Sequence, residues 1–339
     1  MRVLVTGGAG YIGSHTILTL LERGDDVIVV DNFANSSPVS LDRVAGITGR
    51  TPRLHRVDVA DEPALDAVFA AEKPEAVIHF AGLKAVGESV AEPLRYYSEN
   101  LGTTFALLAA MQRHEVHTLV FSSSATVYGD HQGAPYREDG GLLDAANPYG
   151  QTKVMLERVL TDVAQADPRW RIALLRYFNP IGAHESGLIG EDPRGVPNNL
   201  APYVAQVAVG RLAEVGVFGD DYPTADGTGE RDYIHVADLA EGHVAALEHL
   251  RTHEGVRAWN LGTGRATSVL ELIGAFEKAS GRPIPYRVLP RREGDLAQAW
   301  ADTTRAEQEL GWSARRGIAE MAEDAWRWQS RNPQGYDTE

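Results

Sequence analysis

The stretch Thr6 Gly7 Gly8 Ala9 Gly10 Tyr11 Ile12 Gly13 decides the fold. It follows the β-branched run at residues 3–6 and opens an apolar-periodic segment at 11–23, so a strand feeds a glycine turn that feeds a helix. Gly7, Gly10 and Gly13 keep a GxxGxxG spacing. Glycine permits the tight turn and lets the backbone approach a pyrophosphate, which then sits at the positive N-terminal end of the helix. The next strand, predicted over 27–31, ends 18 residues beyond Gly13 on Asp31, whose carboxylate can accept both hydroxyls of a ribose. That carboxylate repels a 2′-phosphate, and no Arg or Lys lies between Asp31 and Arg43, so the pattern selects NAD over NADP. The competing reading is a tight strand-to-helix turn with a surface Asp. Asp58, at the end of a third predicted strand, approaches the adenine or is an ordinary turn residue, and spacing alone leaves the two even.

Outward from this turn, short β-branched runs alternate with helical-length segments. The pattern predicts further strands over 54–58, 76–81, 119–123 and 172–176, with helices such as 93–113 between them. This is an α/β class chain with a doubly wound parallel Rossmann sheet. After Asn179 the texture changes to Gly-, Pro- and Asp-rich stretches at 182–199 and 219–229, which in a compact protein are usually functional. The expected organisation is a dinucleotide-binding domain over 1–180 and a smaller C-terminal substrate-binding lobe over 181–339. Segments 233–235 and 259–261 are expected to be able to return to the main sheet.

Composition narrows the function. With 339 residues and 43% hydrophobic content the chain can bury a large core, and a net charge of −15 opposes non-specific binding to nucleic acid or an anionic membrane. Phosphates must therefore be met by local groups. There are no cysteines, which excludes disulfides, thiolate metal sites and cysteine nucleophiles and permits a reducing compartment. The N-terminal apolar run is too short for a signal peptide and no apolar stretch of about 18 residues follows, so a cytoplasmic protein is expected. The eleven histidines are scattered without an HExxH, and His249 with His253 reads as a solvated helix end, so no metal is expected.

Asn147 Pro148 Tyr149 Gly150 Gln151 Thr152 Lys153 reads as a helix start, with Asn as cap and Pro in the first turn. Tyr149 and Lys153 then share one helical face. At about 6 Å and an effective dielectric of about 20, one ammonium supplies ~2.8 kcal/mol, or ~2 pK units, towards a phenolate. An oxidised nicotinamide ring supplies a second positive charge, and together they bring a phenol towards neutrality, where it serves as a general base. On its own such a pair is a common surface feature. Ser122, Ser123 and Ser124, at the carboxyl end of a predicted strand, alter that weighting, because ligands of open α/β sheets lie outside those ends.

The glycine spacing, Ser124 and the Tyr149/Lys153 pair resemble the extended short-chain dehydrogenase/reductase superfamily. Within it, residues 80–89, 121–128, 175–180, 226–236 and 291–296 resemble the UDP-glucose 4-epimerase family, without gaps over nearly the whole chain. The resemblance implies that Tyr149 takes the proton of the sugar's C4 hydroxyl while C4 gives a hydride to tightly bound NAD, that Ser124 shuttles or positions that proton, and that Lys153 holds the cofactor ribose. The 4-keto sugar then turns its other face and takes the hydride back. Related dehydratases carry acidic residues just after this strand, where this chain has Ala125 and Thr126, so onward elimination lacks its proton carriers.

For the cofactor the resemblance adds Tyr11, Ile12, Asn32, Asn35, Ser36, Asp58, Val59, Phe80, Ala81, Gly82, Lys84 and Phe178. Family members have an Asn where this chain has Glu99, and a carboxylate accepts but cannot donate. For the UDP-hexose it adds Lys84, Asn179, Asn199, Leu200, Phe218, Arg231, Tyr233, Arg292 and Asp295, the arginines suiting a diphosphate. On local sequence alone Arg231 and Arg292 read instead as surface ion pairs with Glu230, Asp232 or Glu293. Ala299 stands where family members restricted to plain hexoses carry Tyr, which implies space for UDP-N-acetylglucosamine and UDP-N-acetylgalactosamine. A homodimer is implied as well. The alternatives are another NAD-dependent nucleotide-sugar dehydratase or dehydrogenase, and a non-catalytic NAD-binding regulator.

Overall fold

The computed structural model describes residues 1–130, 132–141, 143–292 and 294–336. Its first half alternates β1 (Arg2–Thr6), α1 (Tyr11–Arg23), β2 (Asp26–Val30), α2 (Val39–Thr48), β3 (Arg53–His55), α3 (Glu62–Glu72), β4 (Ala76–His79), α4 (Val86–Ala91), α5 (Pro93–Arg113), β5 (Thr118–Ser124), α6 (Pro148–Ala166) and β6 (Arg171–Tyr177). There follow β7 (Asn179–Ile181), α7 (Leu200–Ala208), β8 (Val215–Phe218), β9 (Glu230–Arg231), β10 (Tyr233–His235), α8 (Val236–His249) and β11 (Gly255–Leu261). The chain ends with β12 (Thr267–Ser268), α9 (Val269–Ser280), β13 (Tyr286–Leu289), β14 (Gln298–Ala299), α10 (Thr304–Leu310) and α11 (Ile318–Arg331).

Strand geometry dictates the layers, because successive side chains leave a strand on opposite sides. Val3, Val5, Val27 and Val29 face one side of the sheet, where they pack with Ile17 and Leu20 of α1, Val44 of α2 and Leu239 and Ala246 of α8. Leu4, Ile28 and Val30 face the other, with Phe69 of α3, Leu107 of α5 and Leu156 and Leu160 of α6. Seven strands pair in parallel in the order β11-β6-β5-β4-β1-β2-β3. Strand order reverses between β1 and β4, so a crevice opens at their carboxyl ends. A second apolar core joins α7, α9 and α11 through Val204, Phe276 and Met321, beside β8.

Two expectations are corrected. The segment 233–235 does not join the main sheet: Tyr233–His235 pairs with Asn179–Ile181 in a separate two-stranded sheet. The edge of β6 is already taken along its length by β11, from Gly255 against Arg171 to Leu261 against Tyr177, and a strand edge satisfies only one neighbour. The third strand stops at His55, so Asp58 lies in the turn after it. Its partner β2 ends at Val30, beyond which the chain leaves the sheet and offers no ladder to continue.

Candidate active site

The glycine turn is shaped by contacts a side chain would forbid. Gly7 has φ +65°, and a Cβ there would lie 2.8 Å from the backbone nitrogen of Ala81, so the turns after β1 and β4 touch across the crevice. A Cβ on Gly13 would lie 2.5 Å from the Gly7 carbonyl. Gly8, which the spacing argument did not use, is equally confined by Ile17 and Val29. α1 follows Gly10 with no side-chain cap and no acidic residue in its first turn, leaving backbone N–H groups and a positive helix end directed at the crevice. These are the features a dinucleotide pyrophosphate requires, and the residues present fit NAD.

Asp31 sits just past β2 and is buried. Its Oδ2 accepts the Ala9 N–H at 2.9 Å, and its Oδ1 accepts the Phe33 N–H at 2.9 Å and the Ser36 hydroxyl at 2.8 Å. The carboxylate thus ties the glycine turn to the loop at 31–36. Asn32 donates to Asp58 at 2.9 Å, Asn35 is exposed, and Val59 is buried in the core below. Folding brings two arginines near this loop that sequence proximity does not reveal: Arg194 hydrogen-bonds its carbonyls and Arg56 lies 5.7 Å from the Phe33 ring centroid.

Beside it, Tyr11 donates to the Gly182 carbonyl at 2.7 Å, and Ile12 packs on the core. Phe80 continues the ladder to Thr6 at 3.0 Å and its ring lies 4.8 Å from that of His243. Gly82 has φ +153°. Glu99 does not face the site: it is exposed and accepts from Arg95 at 2.9 Å. One residue is about 100° of helix, and the next one, Asn100, points inward. It grips both the N–H and the carbonyl of Leu83, at 2.8 and 3.1 Å, and donates to Thr152 at 3.1 Å. Sequence reasoning missed Asn100, because which of 99 and 100 faces inward is set by how α5 packs on the sheet.

Asn147 caps α6 by accepting the Gly150 N–H at 2.9 Å. Tyr149 and Lys153 share a face, with Nζ 5.9 Å from the phenol ring centroid. Lys153 is buried, its Nζ donates to the Ser122 carbonyl at 2.8 Å, and burial pulls its pKa down to about 8. The part of the Tyr149 expectation that rests on Lys153 is corrected: burial pushes the phenol above its ordinary value, opposed by Ser124, while Lys153 is directed at a carbonyl. Desolvation of a phenolate outweighs that one neighbour. Ser124 also accepts from the Thr126 N–H at 3.2 Å and its hydroxyl at 3.0 Å.

Below this pair runs a buried network. Glu157, one turn past Lys153, accepts from Arg176 at 2.9 and 2.6 Å and from Ser123 at 2.6 Å. Arg176 reaches Tyr128 at 3.0 Å, which donates to Asn260 at 2.6 Å. Nearby, Tyr177 meets His243 at 2.8 Å, and burial holds that imidazole down to about 4 and so neutral at pH 7. His79 bridges Thr6 and Thr104 at 2.7 and 3.2 Å and is pulled to about 3 by burial. Of these, only Glu157 left a usable trace, its i, i+4 spacing from Lys153.

On the far side of the crevice, Arg231 pairs with Asp295 and donates to the Leu296 carbonyl at 2.9 Å. Arg292 stacks over Phe218 at 3.8 Å from the ring centroid. Arg231 does not pair with the Glu230 or Asp232 carboxylate that sequence suggested, Asp232 being buried and accepting from Thr263, Gly264 and Ala301, whereas the Glu293 suggested for Arg292 lies outside the described residues. Lys84 and Asn199 both meet Glu191 Oε1, at 3.4 and 3.2 Å. Asn199 precedes α7, Leu200 begins it, and Tyr233 is buried in the second core. Asn179 pairs with Tyr233, and Phe178 lies 6.2 Å from the Tyr136 ring. Ala299 packs against the cluster of Val127, Tyr128 and Tyr136, and its carbonyl accepts the Asp232 N–H at 3.0 Å.

His249 and His253 stack at 3.8 Å with both Nδ1 atoms on backbone carbonyls. Among the described residues no group of three or more His, Asp or Glu is placed to hold a metal, and no helix is long and apolar enough to cross a membrane.

Comparison with known proteins places this geometry. Residues 3–262 match the model described as the NAD dependent epimerase/dehydratase family. The chain is 60% identical over 336 residues to the UDP-glucose 4-epimerase of Bacillus subtilis (strain 168), covering 99% of each chain. It is similar to the structure of UDP-glucose 4-epimerase from Bifidobacterium longum in complex with NAD+ and UDP, with TM-score 0.96, 57% identity and coverage of 99% and 100%. A structure from Stenotrophomonas maltophila, with bound NAD and formylated UDP-arabinopyranose, matches with TM-score 0.96, 51% identity and coverage of 98% and 99%.

The burial of Lys153 has a measurable consequence. Its pKa falls from 10.5 to about 8 on folding, so between those values the unfolded chain binds more protons and stability rises with pH. In urea titrations of the cofactor-free protein at pH 8.5 and 9.5, the wild type should gain roughly 1 kcal/mol relative to Lys153→Met. Parallel pH dependences in the two proteins would overturn the assignment.

Proposed function

The chain belongs to the NAD dependent epimerase/dehydratase family, and from that premise we infer that it interconverts UDP-glucose and UDP-galactose at C4 of the hexose, as an isomerase using NAD. The observation that carries this reading is the placement of Ser124, Tyr149 and Lys153 at the carboxyl end of β5, two strands from the glycine turn after β1. Ala125 and Thr126 follow, so no carboxylate stands there to move protons at C5 and C6. When bound, NAD supplies the hydride acceptor and donor.

The residues then divide the work. With the positive charge that oxidised nicotinamide would add opposing its burial, Tyr149 as the phenolate would accept the C4 hydroxyl proton, and Ser124 beside it would orient that hydroxyl. Lys153, whose ammonium donates to the Ser122 carbonyl, would hold the cofactor ribose. The positive end of α1 and the backbone of the glycine turn carry the dinucleotide pyrophosphate, with Tyr11, Ile12, Phe80, Ala81, Gly82, Lys84 and Phe178 lining its course and Asp31, Asn32, Asn35, Ser36, Asp58 and Val59 at the adenosine end. Arg231 and Arg292 supply the local positive charge that a UDP diphosphate needs on an acidic protein. Asn179, Asn199, Leu200, Phe218, Tyr233 and Asp295 complete that side. In the return step Tyr149 gives its proton back to the C4 oxygen after the sugar has turned its other face.

Residues 1–180 serve mainly the dinucleotide and 181–339 mainly the UDP-sugar, with α8 and β11 of the latter built into the first body. A methyl group at Ala299 in place of a phenol leaves space beside the sugar's C2 substituent, which supports use of the N-acetylated UDP-hexoses as well. A homodimer is supported by apolar side chains left exposed on α5 and α6, Leu94 at 84%, Phe105 at 47% and Met155 at 45% exposure. The cytoplasm is the proposed location, as a cysteine-free chain permits, and cell fractionation checks it.

Incubated with UDP-galactose and no added NAD, the purified protein should yield UDP-glucose, and Tyr149→Phe should lower kcat by about 10²- to 10⁴-fold. A fully active Tyr149→Phe would remove the phenol from the mechanism. UDP-N-acetylglucosamine should also be converted by the wild type and lost as a substrate in Ala299→Tyr; inertness of the wild type sinks the wider specificity. Light scattering should give twice the 36.8 kDa chain mass, falling towards the monomer in Phe105→Glu, whereas a monomeric wild type would exclude the dimer.

A further inference from the structure

The loop that carries Asp31, Asn35 and Ser36 is gripped from two directions. From within, the Asp31 carboxylate takes the Phe33 N–H and the Ser36 hydroxyl. From outside, the Arg194 guanidinium donates to three carbonyls of the same turn: Ala34 at 2.8 Å, Ser36 at 3.1 Å and Phe33 at 3.3 Å. Phe33 has φ +59°, a left-handed conformation that costs energy in a non-glycine residue and must be held by its surroundings. A planar guanidinium meets such a cluster of carbonyls with a fixed fork of donors, which a lysine cannot copy.

Arg194 comes from a distant part of the chain, between β7 and α7. Three residues before it, Glu191 accepts from Lys84 and Asn199, and its carbonyl accepts the Trp328 indole N–H at 3.0 Å. The Asp192 carboxylate accepts the Tyr336 N–H at 2.8 Å. The segment is therefore pinned to the C-terminal part of the chain, and it reaches from the UDP-sugar side of the crevice to the adenosine side.

We propose that Arg194 is a positioning residue for the cofactor, holding the 33–36 turn in the shape that presents Asp31 and Asn35 to the adenosine half of NAD and so slowing NAD release. This rests on the function proposed above only in taking NAD as the resident cofactor. Its chemical sense is that NAD is regenerated in every cycle and must outlast many turnovers. The Arg194 Nη donors are directed at carbonyls, so the arginine does not convert the site to one for a 2′-phosphate.

The test uses wild type, Arg194→Ala and Arg194→Lys, each loaded with NAD and diluted into excess NAD glycohydrolase. Bound NAD is then assayed by chromatography of the denatured protein over time. The alanine variant should lose NAD about tenfold faster than wild type, with lysine recovering only part of the difference. In parallel, the concentration of added NAD giving half-maximal activity should rise about tenfold while kcat at saturation changes by less than about twofold. Release from Arg194→Ala at the wild-type rate overturns the proposal, as does a fall in Tm in saturating NAD with no change in release, which marks a merely structural arginine. Wild type assayed with UDP-galactose alongside separates the two readings: its inactivity counts against the epimerase function, whereas the release rates bear on Arg194 alone.

Discussion

Glu157 and Arg176 meet in the interior as a bidentate pair at 2.9 and 2.6 Å, with about 4% and 5% of their side chains exposed. Two charges removed from water are tolerable only if each is fully matched, and breaking such a pair leaves an uncompensated charge in a poor dielectric. Ser123 and Tyr128 take up further capacity of the pair, and Tyr128 passes the chain of hydrogen bonds to Asn260. One network thus links β5, β6, β11 and α6. It sets the rotation of α6 against the sheet, and with it the direction of Lys153 one turn before Glu157 and of Tyr149 one turn before that. The catalytic face follows from a polar requirement buried beneath it.

The second constraint is close backbone approach at the switch point. The turns after β1 and β4 leave no room for a Cβ at Gly7, and Thr6 and His79 join the two strands by a side-chain hydrogen bond. Asn100 then ties the turn after β4 to Thr152, beside Lys153. Cofactor cradle and catalytic helix are therefore not independent pieces placed side by side: a chain of short polar contacts runs from β1 through α5 to α6. The acidic protein meets its anionic ligands through this geometry, with uncapped N–H groups of α1 on one side and Arg231 and Arg292 on the other, rather than through net charge.

What the sequence determined by itself is what repeats locally. The strand, glycine turn and helix at residues 2–23, the cap at Asn147 and the i, i+4 relation of Tyr149 and Lys153 are all dictated within a few residues by sterics, capping and helical pitch, so they are legible in one dimension. Tertiary structure alone decided what depends on partners far apart in the chain: that Glu99 faces water while Asn100 faces the site, that Arg231 finds Asp295 instead of its neighbours, that 233–235 leaves the main sheet, and that Arg194 closes over a loop 160 residues earlier. It also removed the lowering of Tyr149 expected from Lys153, because desolvation is a property of the packed surroundings and not of the spacing to Lys153. Local chemistry is written in adjacent residues, whereas burial and long-range pairing exist only once the sheet has assembled.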